Sequence, residues 1–156
     1  MGGVDIIYIL LIIIIVIIDQ FIKNLVKKEL EGIYSKPIIK DFLHLTLVKN
    51  TGAAFSIFKN KQRLVLILNI ISITFMFYVF LLFFKYNFVL INVAFAFMLG
   101  GALGNIIDRI RLRYVVDYLH IKFRKAPIFN IADIFIFLGS LLLIYTMIFE
   151  KYDLNI

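Results

Sequence analysis

Four long, mostly apolar runs dictate what this chain can become. They cover roughly residues 6–26, 64–84, 88–108 and 131–149. About 20 residues of helix cross the hydrocarbon core of a bilayer. With no water there, each backbone amide and carbonyl must be bonded within its own segment, so each run has to be a helix. The first run is unbroken from Ile6 to Ile18. No Lys or Arg precedes it and no small-residue cleavage site follows, so it is expected to be a retained span, not a cleaved signal peptide. The chain is 63% hydrophobic, against about half in soluble domains, which fits an integral membrane protein. It has no Cys, which excludes disulfides, thiolate nucleophiles and cysteine metal sites. His44 and His120 are too isolated for a histidine metal site, so neither a metal nor a cofactor is expected. The net charge of +7 comes from basic residues lying between apolar runs. Anionic lipid head groups are nearer partners for them than nucleic acid, and no nucleic acid is expected.

Four spans fix which polar residues can meet. The end of span 1, the whole of about 28–62, the end of span 3, the segment at about 110–129 and the start of span 4 share one side of the membrane. In the first of these segments Leu43, Leu45 and Leu47 alternate with His44 and Thr46, which predicts a half-buried strand. Asn50-Thr51-Gly52 signals a turn, and Ala53-Ala54-Phe55-Ser56 is unusually apolar for a loop. Tyr114 to Ile121 predicts a second strand, with Asp117 at its middle. A small sheet at the membrane surface is expected. The opposite side has only the termini and a tight connection at Lys85-Tyr86-Asn87.

The polar residues of the crowded side are unusual in kind. Gly100-Gly101-Ala102-Leu103-Gly104-Asn105-Ile106-Ile107-Asp108-Arg109 closes span 3 with glycines, an amide, an acid and a guanidinium. On a helix Asn105, Asp108 and Arg109 share a face, and Gly100 and Gly104 form a pair that lets another backbone approach. Ionisable groups at this depth are costly and point to function. Asp19 and Lys23, one helical turn apart, fit an interfacial ion pair with a snorkelling lysine. Arg109 is expected to pair with Asp108 or a backbone carbonyl. Asp117 fits either a solvated edge strand or a buried acid. Asp133, three residues after Asn130, fits ordinary helix capping or catalysis. Two carboxylates brought together out of water cannot both ionise easily and share a proton. One then activates a water while the other protonates the leaving group. A proton-coupled transporter would spread acids through the membrane depth, whereas these cluster near one face. A lipid-binding assembly subunit would use the basic loops and the glycine pair but not two aspartates beside amides.

Five blocks stand in order along the chain: Asp19-Gln20-x-x-Lys23, Asn50-x-Gly52-Ala53-Ala54-Phe55-Ser56, Gly100-Gly101-Ala102-x-Gly104-Asn105-x-x-Asp108-Arg109, Val115-Val116-Asp117 and Phe129-Asn130-x-Ala132-Asp133. Together they closely resemble the bacterial lipoprotein signal peptidases, the signal peptidase II family, over a stretch from span 1 to span 4. The resemblance implies one membrane-embedded peptidase domain over 1–156, with four transmembrane helices and a small extracytoplasmic β-rich cradle. It implies an intramembrane aspartic endopeptidase that removes the signal peptide of diacylglyceryl-modified prolipoproteins, cutting before the lipidated cysteine of the lipobox. Asp117 and Asp133 would be the catalytic pair. Asn50, Gly52, Asn105, Arg109 and Asn130 would orient the substrate and support the acids, with Asp19 and Asp108 stabilising. The chain departs from the pattern at His120, where a second acid is expected.

The resemblance also implies a bacterial cytoplasmic membrane, cytoplasmic termini and an active site near the outer leaflet. Charge points the other way. Fifteen of the Lys and Arg residues lie on the loop side and two, Lys85 and Lys151, on the other, and the positive-inside rule would place the loops in the cytoplasm. The outer-leaflet substrate decides for the family's orientation, with Lys23, Lys27 and Lys28 as candidate contacts for anionic phospholipid. Nothing in the sequence demands more than a monomer.

Overall fold

The computed structural model describes residues 3–52, 61–84, 88–123 and 126–149. Ala53–Ser56 of the second block and the connection at 85–87 lie outside the described residues. Helix α1 spans Gly3–Glu29, α2 Gln62–Phe84, α3 Val89–Leu112 and α4 Ile131–Phe149. All four are long and apolar enough to cross a membrane. The shortest, α4, has 19 residues and so a length of about 29 Å. The helices run past the apolar runs at the crowded end, α1 to Glu29 and α3 to Leu112, so their polar last turns stand beside the sheet.

Strands β1 (Ser35–Ile39), β2 (Leu43–Asn50), β3 (Val115–Ile121) and β4 (Ile128–Phe129) form one four-stranded sheet in that spatial order. Every pairing is antiparallel. Both segments expected to be strands, the alternating one at Leu43–Leu47 and the one from Tyr114 to Ile121, are strands. The solvated edge considered for Asp117 is not what the fold adopts: β4 pairs β3 only at Leu119 and His120, yet Asp117 is buried. Val48 is its cross-strand partner, and Asn50 pairs with Val115. Successive side chains of a strand point to opposite faces. Val116 and Tyr118 accordingly pack with Val26 of α1 and Leu30 just after it, while Asp117 points the other way. His120 shares the face of Tyr118, away from Asp117, and Thr46 lies 3.3 Å from its Nδ1. The residue that departs from the family pattern is thus turned away from the acid.

Helix α3 is the centre of the bundle and packs against each of the other three. Its mean hydropathy, 1.9, is the lowest of the four, because it carries the polar residues of the site and is screened from lipid by its neighbours. The other helices expose rows of large apolar side chains, such as Ile13, Phe75 and Leu141. In water such rows would be an aggregation hazard; in a bilayer they face solvent of their own kind.

The glycines of α3 set how close its neighbours come. A Cβ on Gly100 would lie 2.9 Å from Ile15 of α1, and one on Gly104 2.5 Å from the Asp19 carboxylate. This pair therefore admits side chains of α1 rather than a second backbone as expected. The backbone approach is at Gly101, where a Cβ would collide with the Ala132 carbonyl oxygen of α4 and come within 2.9 Å of Ile136. Because the obstacle is main chain, relief requires the helices to part. Gly101→Ala is expected to destabilise the fold by about 1–3 kcal/mol, the usual range for overpacking. The readout is a lowered thermal unfolding midpoint in detergent; an unchanged midpoint would contradict this close approach.

Candidate active site

Asp117 and Asp133 meet because β3 and the start of α4 converge on the last turns of α3. One residue, Asn130, holds both acids. Its side-chain Nδ2 donates to Asp117 Oδ1 at 2.7 Å, and its backbone N donates to Asp133 Oδ2 at 3.2 Å. Its Oδ1 in turn accepts the Asp133 backbone N–H at 2.9 Å. This last pair of bonds is a reciprocal helix cap. Capping and site membership, posed as alternatives from the sequence, are therefore met by the same two residues. The Tyr118 hydroxyl accepts the Ile131 N–H at 3.3 Å, which ties the first turn of α4 to β3.

Each acid has a second amide. Asn50 Nδ2 donates to Asp117 Oδ2 at 2.9 Å, while its Oδ1 accepts the Gly52 N–H at 3.0 Å. Asn105 Nδ2 donates to Asp133 Oδ1 at 2.8 Å. Every carboxylate oxygen of the pair thus has an N–H donor, as a buried acid requires. Asp117 is 3% exposed. Burial, followed by the nearby charge of Asp133, pushes its carboxyl from 3.8 up to about 6, against the pull of the Asn50 and Asn130 amides. A carboxyl that holds its proton more tightly in this way is common among groups that work in proton transfer.

Both acids line a cleft of about 490 Å³ together with Asn50, Asn105 and Arg109. The Arg109 guanidinium does not pair with Asp108. It donates to the carbonyl oxygens of Gly52 at 3.2 Å and Asn105 at 3.4 Å, and so ties the turn after β2 to α3. One wall of the cleft is apolar, with Phe129, Ile136 and Phe137.

Asp108 belongs to a second cluster behind the first. Its Oδ2 accepts the Val116 N–H at 3.0 Å and lies 3.1 Å from Lys23 Nζ. Lys23 also contacts Asp19 Oδ2 at 2.8 Å. Gln20 Nε2 donates to Asp108 Oδ1 at 3.1 Å and to Asp19 Oδ2 at 3.2 Å. Lys23 is 1% exposed and Asp19 fully buried. The interfacial pair with a snorkelling lysine is therefore corrected: the ammonium lies inside the bundle, held by two carboxylates, and cannot touch a lipid head group. The other two lysines named with it, Lys27 and Lys28, stand in the last turn of α1. All nine residues singled out from the sequence thus fall in these two clusters. Lys23 and Gln20, both in the first of the five blocks, are further members of the site that the sequence reading does not name as such; the signal is the one-turn spacing of Lys23 from Asp19, which fits a surface pair equally well.

A model of the signal peptidase (SPase) II family matches residues 11–149. The chain belongs to the signal peptidase II family. A lipoprotein signal peptidase from Caldanaerobacter subterraneus subsp. tengcongensis is 43% identical over 136 residues, covering 87% of this chain and 92% of the relative. One from Fusobacterium nucleatum is 40% identical, covering 94% and 89%. A solved bacterial membrane enzyme, determined by the in meso method, is 30% identical and superposes with a TM-score of 0.81 over 96% of this chain and 93% of its own. Membership of the signal peptidase II family makes the protein a peptidase, and its four apolar helices make it a multi-pass membrane protein.

Proposed function

We propose that this signal peptidase II is an intramembrane aspartic endopeptidase that cleaves diacylglyceryl-modified prolipoproteins just before the lipidated cysteine of the lipobox. The observation that carries this reading is the bridging of Asp117 and Asp133 by a single residue, Asn130, inside one cleft. The names of the relatives, lipoprotein signal peptidases, support the substrate class. Asp117, with its affinity for a proton raised, and Asp133 share one proton. One carboxylate takes a proton from water as the water attacks the scissile carbonyl, and the other protonates the departing amide nitrogen. Such chemistry runs on side-chain acids alone and calls for no metal or cofactor. Arg109 and the asparagines orient the substrate backbone, and the apolar wall at Ile136 and Phe137 receives acyl chain.

Purified protein should cleave a diacylglyceryl-modified lipobox peptide in detergent, with chelator present. Asp117→Asn and Asp133→Asn should each lower turnover by at least about a thousandfold, a loss in line with removing an acid that acts in the reacting step, while leaving the protein folded. Substantial turnover by either variant would remove that residue from the pair, and loss of parent activity with chelator would contradict the carboxylate mechanism.

The same reading places the protein as a monomer in the bacterial cytoplasmic membrane, with the sheet and cleft at the outer leaflet and both termini in the cytoplasm. The loop-side surplus of Lys and Arg opposes it, so orientation needs its own test. The chain has no Cys, so Lys40→Cys introduces a single thiol between β1 and β2. A membrane-impermeant maleimide should label it in right-side-out vesicles. Labelling only after permeabilisation would reverse the orientation.

A further inference from the structure

An ammonium has three N–H donors and no acceptor, and Lys23 finds an acceptor for each. Asp19 Oδ2 lies at 2.8 Å, Asp108 Oδ2 at 3.1 Å and Asn105 Oδ1 at 3.0 Å. The third contact leads to the acids. Asn105 is a two-ended group: its Oδ1 accepts from Lys23 and from Asn130 Nδ2 at 3.1 Å, while its Nδ2 donates to Asp133 Oδ1 at 2.8 Å. An amide turned over would present an oxygen to the Asp133 carboxylate and an N–H₂ to the ammonium, two repulsive contacts in place of two attractive ones. Burying a charge costs several kcal/mol unless it is paired, and Asp19 and Asp108 supply that pairing on the side away from Asn105. Asp19 Oδ1 has no hydrogen-bond partner among the described residues, so this cluster is not arranged for its own best satisfaction.

We infer that Lys23 is a positioning residue of the peptidase: its ammonium fixes the Asn105 amide so that the amide nitrogen stays on Asp133. The inference rests on the reaction proposed above. Lys23 reaches neither substrate nor the reacting atoms, and it acts through Asn105. The charged and titratable groups around the pair are Asp19 and Lys23 from α1, Asp108 and Arg109 from α3, and Tyr118 from β3. Among these, Lys23 is the one that both carries positive charge and holds an amide bonded to the acid.

The test uses the full chain and the diacylglyceryl-modified lipobox peptide. Lys23→Met keeps the length of the side chain and removes the ammonium. We expect kcat to fall by about ten- to a hundredfold, as for a small displacement of a reacting group, with KM nearly unchanged. Losing a positive charge and a fixed donor raises carboxylate pKa values, so the activity–pH profile should move to higher pH, by about one pH. A lysine that only balanced charge would move the profile of this variant but not that of a variant in which the net charge of the cluster is restored. Because Lys23→Met leaves two acids facing each other, Lys23→Met with Asp19→Asn keeps the net charge of the cluster and guards the fold. Its profile should also be displaced upward, whereas Asp19→Asn alone, which retains the ammonium, should not move it upward. A folded double variant whose profile and kcat match the parent overturns the inference while the proposed reaction stands. A parent that leaves the peptide intact overturns both.

Discussion

Carboxylates taken out of water have to be held by donors, and at one end of this bundle three asparagines, a lysine and a glutamine do so. Asp117 and Asp133 accept from three asparagines, and Asp19 and Asp108 accept from Lys23, Gln20 and a backbone amide. The two groups meet at Asn105, which touches Lys23, Asn130 and Asp133. Without this network the helix ends would keep only their packing contacts, for which lipid is a close competitor.

The same network explains the division of labour among the helices. Helix α3 carries Asn105, Asp108 and Arg109, and it can carry them only because α1, α2 and α4 screen it. Its glycines let that screen come close: Gly104 seats the Asp19 carboxylate, and Gly101 admits the main chain at Ala132, just before Asp133. Small residues on one helix thereby place acids that belong to two others. The sheet has a matching task. Its strand β3 delivers Asp117 from outside the spans, and β2 delivers Asn50 as that acid's partner.

Much of this is legible in the chain. Bilayer-length apolar runs forced four helices, and four helices forced the polar blocks onto one side. The alternation of Leu43, Leu45 and Leu47 marked β2. What the sequence hid was depth and direction. Asp19 and Lys23 at i, i+4 look the same whether they lie in water or between helices, and only the packing of α1 on Gly104 shows them buried. Arg109 follows Asp108 directly, yet on a helix consecutive residues diverge, so one faces Lys23 and the other the turn after β2. The burial of Asp117 could not be read from its strand, because the groups that cover it, Asn50 and Asn130, come from other segments.

The central claim is that Asp117 and Asp133 act as one coupled pair. An infrared titration of the carboxyl stretching band, with isotope-labelled aspartate, follows their protons directly. The account predicts that the Asp117 carboxyl is half-protonated near pH 6. It further predicts that in Asp133→Asn this titration moves to lower pH, because the neighbouring negative charge is gone. An Asp117 titration that Asp133→Asn leaves unmoved would show two independent acids and contradict the account.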